Sequence, residues 1–111
     1  MLNPSTATEL RNDPTIERCE RRARAMGHGG LMICNLFGFR ATRPADLKAA
    51  PDPVGPGNDA VLIDWARHAA LTVAAWGVHG AFLQRGEAVR ALLDRPLHHL
   101  GLTKAGHPRH P

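Results

Sequence analysis

Four short stretches carry groups suited to a polar, anionic ligand: Asn3 to Thr6, Asn35 to Pro44, Trp76 to Gly80 and Gly101 to Pro111. A primary amide both donates and accepts, so Asn3 either closes a turn on nearby backbone or holds a water or substrate. Ser5 adds a hydroxyl to the same turn. Asn35 ends an apolar run, and an amide there needs a partner, either neighbouring loop backbone or the edge of a substrate. Gly77 and Gly80 flank His79 at a helix start, where free amides and the helix dipole attract anions, unless the glycines only turn the chain. Trp76 either stacks on a base or fills core.

The last stretch is the most strongly biased. His98, His99, His107 and His110 accompany Arg95, Lys104 and Arg109, and the final 17 residues contain no acid. Histidine there donates to a developing oxyanion, acts as an acid or binds metal. The metal reading lacks ligands, because no Cys, Asp or Glu is near and His98 and His99 point to opposite faces of a strand. No metal or cofactor is therefore expected. A Walker loop, a GxSxG elbow and paired carboxylates are all missing, and the loop acids are only Asp46, Asp52 and Asp59. Chemistry that needs a carboxylate base finds little support.

The elements that position these stretches follow from periodicity and punctuation. Asp13 caps and Pro14 opens a helix running to Met26, with Ile16, Cys19, Ala23 and Met26 on its inner face. Its outer face carries Glu17, Arg18, Glu20, Arg21, Arg22 and Arg24. Leu31 to Asn35 reads as a short buried strand. A long Pro-rich loop follows, with one short helix around Ala45 to Ala49; long ordered loops tend to be functional. Asn58 is expected to cap a second helix that buries Val61, Leu62, Trp65 and Ala69. Leu71 to Trp76 is the next strand, Ala81 to Leu93 a third helix with Phe82, Val89, Leu92 and Leu93 inward, and Leu97 to Leu100 a last strand.

Strands alternating with helices predict parallel pairing in a layered α/β domain. In such sheets ligands bind beyond the carboxyl ends of the strands, and all four polar stretches fall at that edge. At 111 residues the chain makes one domain. Its 43% apolar and 22% charged residues suit a soluble globular protein, and without a membrane span or signal pattern the expected location is cytoplasmic. Net charge is +4, and 12 of the 14 basic residues are Arg, whose planar fork suits phosphate; nucleic acid or a nucleotide is a permitted partner. Cys19 and Cys34 read as small core thiols.

The strings LNPSTA, NDPTIERC, GGLMICNLFGFRAT, DPVGPGND, AAWGVHG and LGLTKAGHPRHP resemble, in order and across nearly the whole chain, the bacterial and phage family called domain of unknown function 1643. More distantly, an Asn-Pro turn, an Asn ending a strand, a strand ending in an aromatic and Gly, and a late His-Pro turn are similar to the uracil-DNA glycosylase superfamily. That resemblance implies a three-layer α/β/α fold with a mostly parallel sheet, which flips a base from DNA and hydrolyses its glycosidic bond. It implies catalytic roles for Asn3, positioning water, and His110, facing the leaving base. Asn35 would bind the base, while Arg40, Lys104 and Arg109 would hold phosphate. The family's His turn continues past the point where this sequence stops at His110-Pro111, and no DNA-intercalating residue is visible. Relatives carry a strand leading into Leu2-Asn3 and more chain after Pro111. The expectation is a sheet lacking its full first strand, or one whose open edge is filled by a partner chain, such as a second copy.

Overall fold

A computed structural model describes residues 1–4 and 13–111. Helix α1 (Pro14–Ala25) begins where expected: the Asp13 carboxylate accepts from the Thr15 amide at 2.7 Å and Pro14 occupies the first turn. Ile16, Cys19 and Ala23 are half-buried, whereas Met26 at the C-cap is exposed. Short α2 (Pro44–Ala49) divides the long loop and drops Leu47 fully into the core. The loop closes on itself where Gly38 and Phe39 amides donate to the Val54 and Pro53 carbonyls, each at 3.0 Å. A side chain at position 38 would put its Cβ 2.9 Å from the Val54 oxygen, so glycine is required there.

Helix α3 (Asn58–His68) is rotated from the expected stripe. Leu62 and Ala66 are buried, while Val61, Trp65 and Ala69 are exposed. Asn58 does not cap it; Gly57, at φ +79°, takes the cap position, which frees the Asn58 amide for a tertiary role. The single helix expected over Ala81 to Leu93 is instead two short 3₁₀ turns within Val78–Gln84, separated by non-helical backbone at Phe82 (ψ 129°) and Leu83, and then α4 (Arg85–Leu93). The break begins at Phe82, which is extended, and continues through Leu83 and Gln84, both left-handed at φ 54°. It turns Phe82 to meet Phe37, with ring centroids 5.7 Å apart, and lets α4 bury Arg85, Gly86 and Val89. Leu92 stays exposed.

The sheet is smaller than the sequence suggests. Strand β1 (Val73–Ala74) pairs in parallel with β2 (His98–His99), matching Val73 to His98 and Ala74 to His99. The parallel sense is the expected one, and the result is a mostly helical α/β domain with an open two-stranded sheet. Leu31 to Asn35 forms no strand: among the described residues, the backbone of 29–33 has no hydrogen-bonding partner, and Leu31 and Met32 are 42% and 50% exposed. A strand without a neighbouring ladder has nothing to satisfy its amides. The core gathers on one side around Leu36, Phe37, Leu47, Leu62 and Val89.

Candidate functional site

The polar edge is built by backbone bonds between loops distant in sequence. The Met1 amine donates to the Cys34 carbonyl at 2.7 Å, and the Met1 carbonyl accepts from the Leu36 amide at 2.9 Å. These two bonds straddle Asn35 in the pattern of parallel β pairing. Next along, the Asn3 side-chain amide donates to the carbonyls of Pro4, Phe39 and Ala41 at 2.9 to 3.0 Å, while the Ala41 amide donates back to Pro4. Asn3 thus joins the first loop to the Phe39 to Ala41 turn. Among the described residues nothing donates to its Oδ1.

Asn35 and Leu36 are held by two residues that the motif reading missed. The Asn58 amide donates to both their carbonyls at 3.0 Å, and Arg85 Nε donates to the Leu36 carbonyl at 2.9 Å. Arg85 is buried and its other arm pairs with Asp59. Two donors aimed at adjacent carbonyls immobilise the start of the loop. The signal for them was thin: Asn58 resembles an ordinary helix cap, and nothing in the sequence distinguishes Arg85 from surface arginines. The Asn35 Oδ1 is itself buried with no partner.

The other two loops meet each other. The Gly77 amide, at φ +76°, donates to the Pro108 carbonyl at 2.8 Å, and a Cβ at Gly77 would lie 3.6 Å from the His110 Cβ. The Gly80 amide returns to the Gly77 carbonyl. Both of these amides are thus engaged by backbone carbonyls. Gly80 is needed for packing, since a Cβ there would sit 2.0 Å from Trp76 Cδ1. Trp76 is half-buried against the core, which favours its packing role.

Residues 101–109 fold into a tight hairpin. Leu102 bridges Pro108 antiparallel, the Thr103 amide donates to the His107 carbonyl at 2.8 Å, and Gly106 turns the chain at φ +84°. Lys104 is exposed at the tip. Arg109 donates to the Leu102 carbonyl at 3.2 Å, and its amide donates to Gly101. His99 Nδ1 accepts from the Gly101 amide at 3.0 Å. Arg40 is exposed in the loop that Asn3 braces, and Ser5 lies outside the described residues. Among the described residues no three His, Cys, Asp or Glu side chains gather around a metal-sized point.

Electrostatics follow this convergence. Burial pushes the Met1 amine down to about 6, with the Cys34 and Cys19 sulfurs opposing weakly. Burial likewise pushes the Cys34 thiol up. The His110 imidazole is held below its ordinary value by partial desolvation, then by the Met1 amine and Arg18, with Asp13 opposing. It is a neutral ring at neutral pH, with one N–H to donate. Backbone and side-chain bonds thus join Met1 to the Cys34 to Leu36 segment and Asn3 to the Phe39 to Ala41 turn, while Gly77 lies against the Pro108 to His110 segment.

These features define a class: a small, mostly helical α/β domain with an open two-stranded parallel sheet and loops joined by backbone hydrogen bonds. The chain belongs to the family described as protein of unknown function (DUF1643), whose sequence model matches residues 1–111. No curated protein and no solved structure matches it. Among the described residues, no helix is long and apolar enough to cross a membrane.

Proposed function

We propose that the polar edge binds a nucleobase joined to phosphate, in DNA or as a nucleotide, and that its side chains suit hydrolysis of the glycosidic bond. The observation that carries this reading is the acid-free C-terminal hairpin, folded against the Gly77 turn beside His110. Lys104, Arg109 and Arg40 would meet phosphate, as cations do on any nucleic-acid surface. The three carbonyls that hold the Asn3 amide fix its plane and leave Oδ1 to accept from an attacking water. Asn35 would read the base edge, and the neutral His110 ring would donate to the leaving base as charge develops on it.

Binding without catalysis is the second reading, and it rests on Asn3. Its three backbone bonds are a sufficient structural reason for an amide at that position. The two readings separate in one experiment. Affinity for single- and double-stranded oligonucleotides across a salt series should fall steeply with salt in both. Abasic-site formation from uracil- or hypoxanthine-containing strands, abolished by Asn3→Ala and by His110→Ala, is expected only of the enzyme. Activity that survives both substitutions would remove the assigned roles, and no binding at low salt would leave a small nucleoside or phosphorylated metabolite as the substrate class.

A further inference from the structure

Residues 37–41 present one aromatic ring outward on a backbone pinned from both flanks. Phe37 is fully buried and packs against Phe82, whereas Phe39, two residues on, is 41% exposed. The Phe39 amide donates to the Pro53 carbonyl at 3.0 Å, and its carbonyl accepts from the Asn3 side-chain amide at 3.0 Å. On either side, the Gly38 amide donates to the Val54 carbonyl and the Ala41 amide to the Pro4 carbonyl. A single exposed apolar side chain is ordinary on any surface. A bulky ring on so constrained a loop is different, because little further ordering is needed when a ligand covers it. Arg40 follows directly and is exposed, while Asp52, next to Pro53, is engaged in its own turn by the Gly55 amide at 3.3 Å.

We infer that Phe39 is a base-stacking residue, and that the polar edge takes an unpaired strand of nucleic acid rather than a closed duplex. This role rests on the edge binding a nucleobase joined to phosphate, as proposed above, and it specifies the form of that ligand. An aromatic face reaches a base only where the base has left its own stack, so recognition by a ring selects single strands, loops and unstacked nucleotides. Arg40, adjacent in sequence, supplies a cation for the phosphate beside the stacked base. The other aromatics do not compete for the role. Phe37, Phe82 and Trp76 pack in or against the core, and exposed Trp65 lies on α3, which carries none of the four polar stretches. The stacking that the sequence allows for Trp76 therefore passes to Phe39.

The test measures binding of the 111-residue chain to octathymidylate, to an abasic strand of the same length and to a long blunt duplex, across a salt series. Phe39→Ala and Phe39→Leu should each weaken octathymidylate binding at least about fivefold at every salt concentration, with the slope of log affinity against log salt unchanged. Phe39→Trp should keep the wild-type affinity. The abasic strand and the duplex should bind wild type and Phe39→Ala alike, because neither offers the ring an unpaired base. Full affinity of Phe39→Ala and Phe39→Leu for octathymidylate, or an equal loss on the abasic strand or the duplex, would overturn the stacking role; salt-dependent binding by the wild type would then leave the function of the edge standing. No binding of any strand by the wild-type chain at low salt would remove that function, and the stacking role with it.

Discussion

The polar edge and the apolar segment 29–33 adjoin in the chain, and they differ in how their backbone is engaged. From Cys34 to Ala41 the backbone is engaged by Met1, Leu2, Pro4, Val54 and Pro53, and by the side chains of Asn3, Asn58 and Arg85. Two residues earlier, among the described residues, the same chain has no ladder, and it exposes its Leu and Met. The edge is assembled by contacts within the chain. Side chains that brace a loop act locally and singly, whereas a strand is satisfied only by another strand.

The largest expected effect tests that contrast directly. Phe37→Ala, at a fully buried position, should lower unfolding free energy by about 3–5 kcal/mol, while Met32→Glu five residues earlier should change it by less than about 0.5 kcal/mol. Comparable losses in urea denaturation would mean that Met32 is packed as Phe37 is. Next, Arg85→Met removes the donor to the Leu36 carbonyl and the partner of Asp59, and should cost about 2–3 kcal/mol. The loss should appear with faster amide exchange at 36–39 rather than at 31–33.

Acidity probes the junction of the two regions. The Met1 amine falls from 8.0 to about 6 on folding, so the unfolded chain binds more protons between those values and stability rises with pH across that window, by about 2 kcal/mol from pH 6 to 8. His110, also lowered, adds stability loss of the same sign as pH falls through its ordinary value. Acetylating the amine should flatten the upper part of a Tm-against-pH curve; an unchanged curve would place the amine in water. The smallest effects lie at the hairpin. Lys104→Ala and Arg109→Ala should each reduce the slope of log affinity against log salt by about one for oligonucleotide binding, with little change in Tm.

The sequence made the loops more legible than the strands. Asp13, Pro14 and the short helix at Pro44–Ala49 are announced by capping and proline chemistry, which depends on a few adjacent residues. A parallel sheet underlies the expectation that the four stretches share one edge; β1 and β2 pair in that sense, and two of the stretches, 76–80 and 101–111, follow those strands. Leu31 to Asn35 reads as strand because apolar composition reports what a segment needs, not whether a neighbour is present. The rotation of α3 and the break at Leu83 depend on where Asn58 and Phe82 are required, and these are tertiary demands without a local signature. Arg85 was illegible for the same reason, since its partners lie 26 and 49 residues away.

Arginine-rich α1 supplies the contrast against which the proposed function is tested. It has more cations than the hairpin, yet Glu17 and Glu20 pair with Arg21 and Arg24 at 2.9 and 2.7 Å, whereas the hairpin has no acid. The most direct measurement is the backbone amide NMR spectrum of the chain titrated with a short single-stranded oligonucleotide at low salt. Shifts concentrated at 35–41, 77–80 and 101–110, and reversed by added salt, are the predicted result. Shifts confined to α1, or none at all, would contradict a nucleic-acid function for the polar edge.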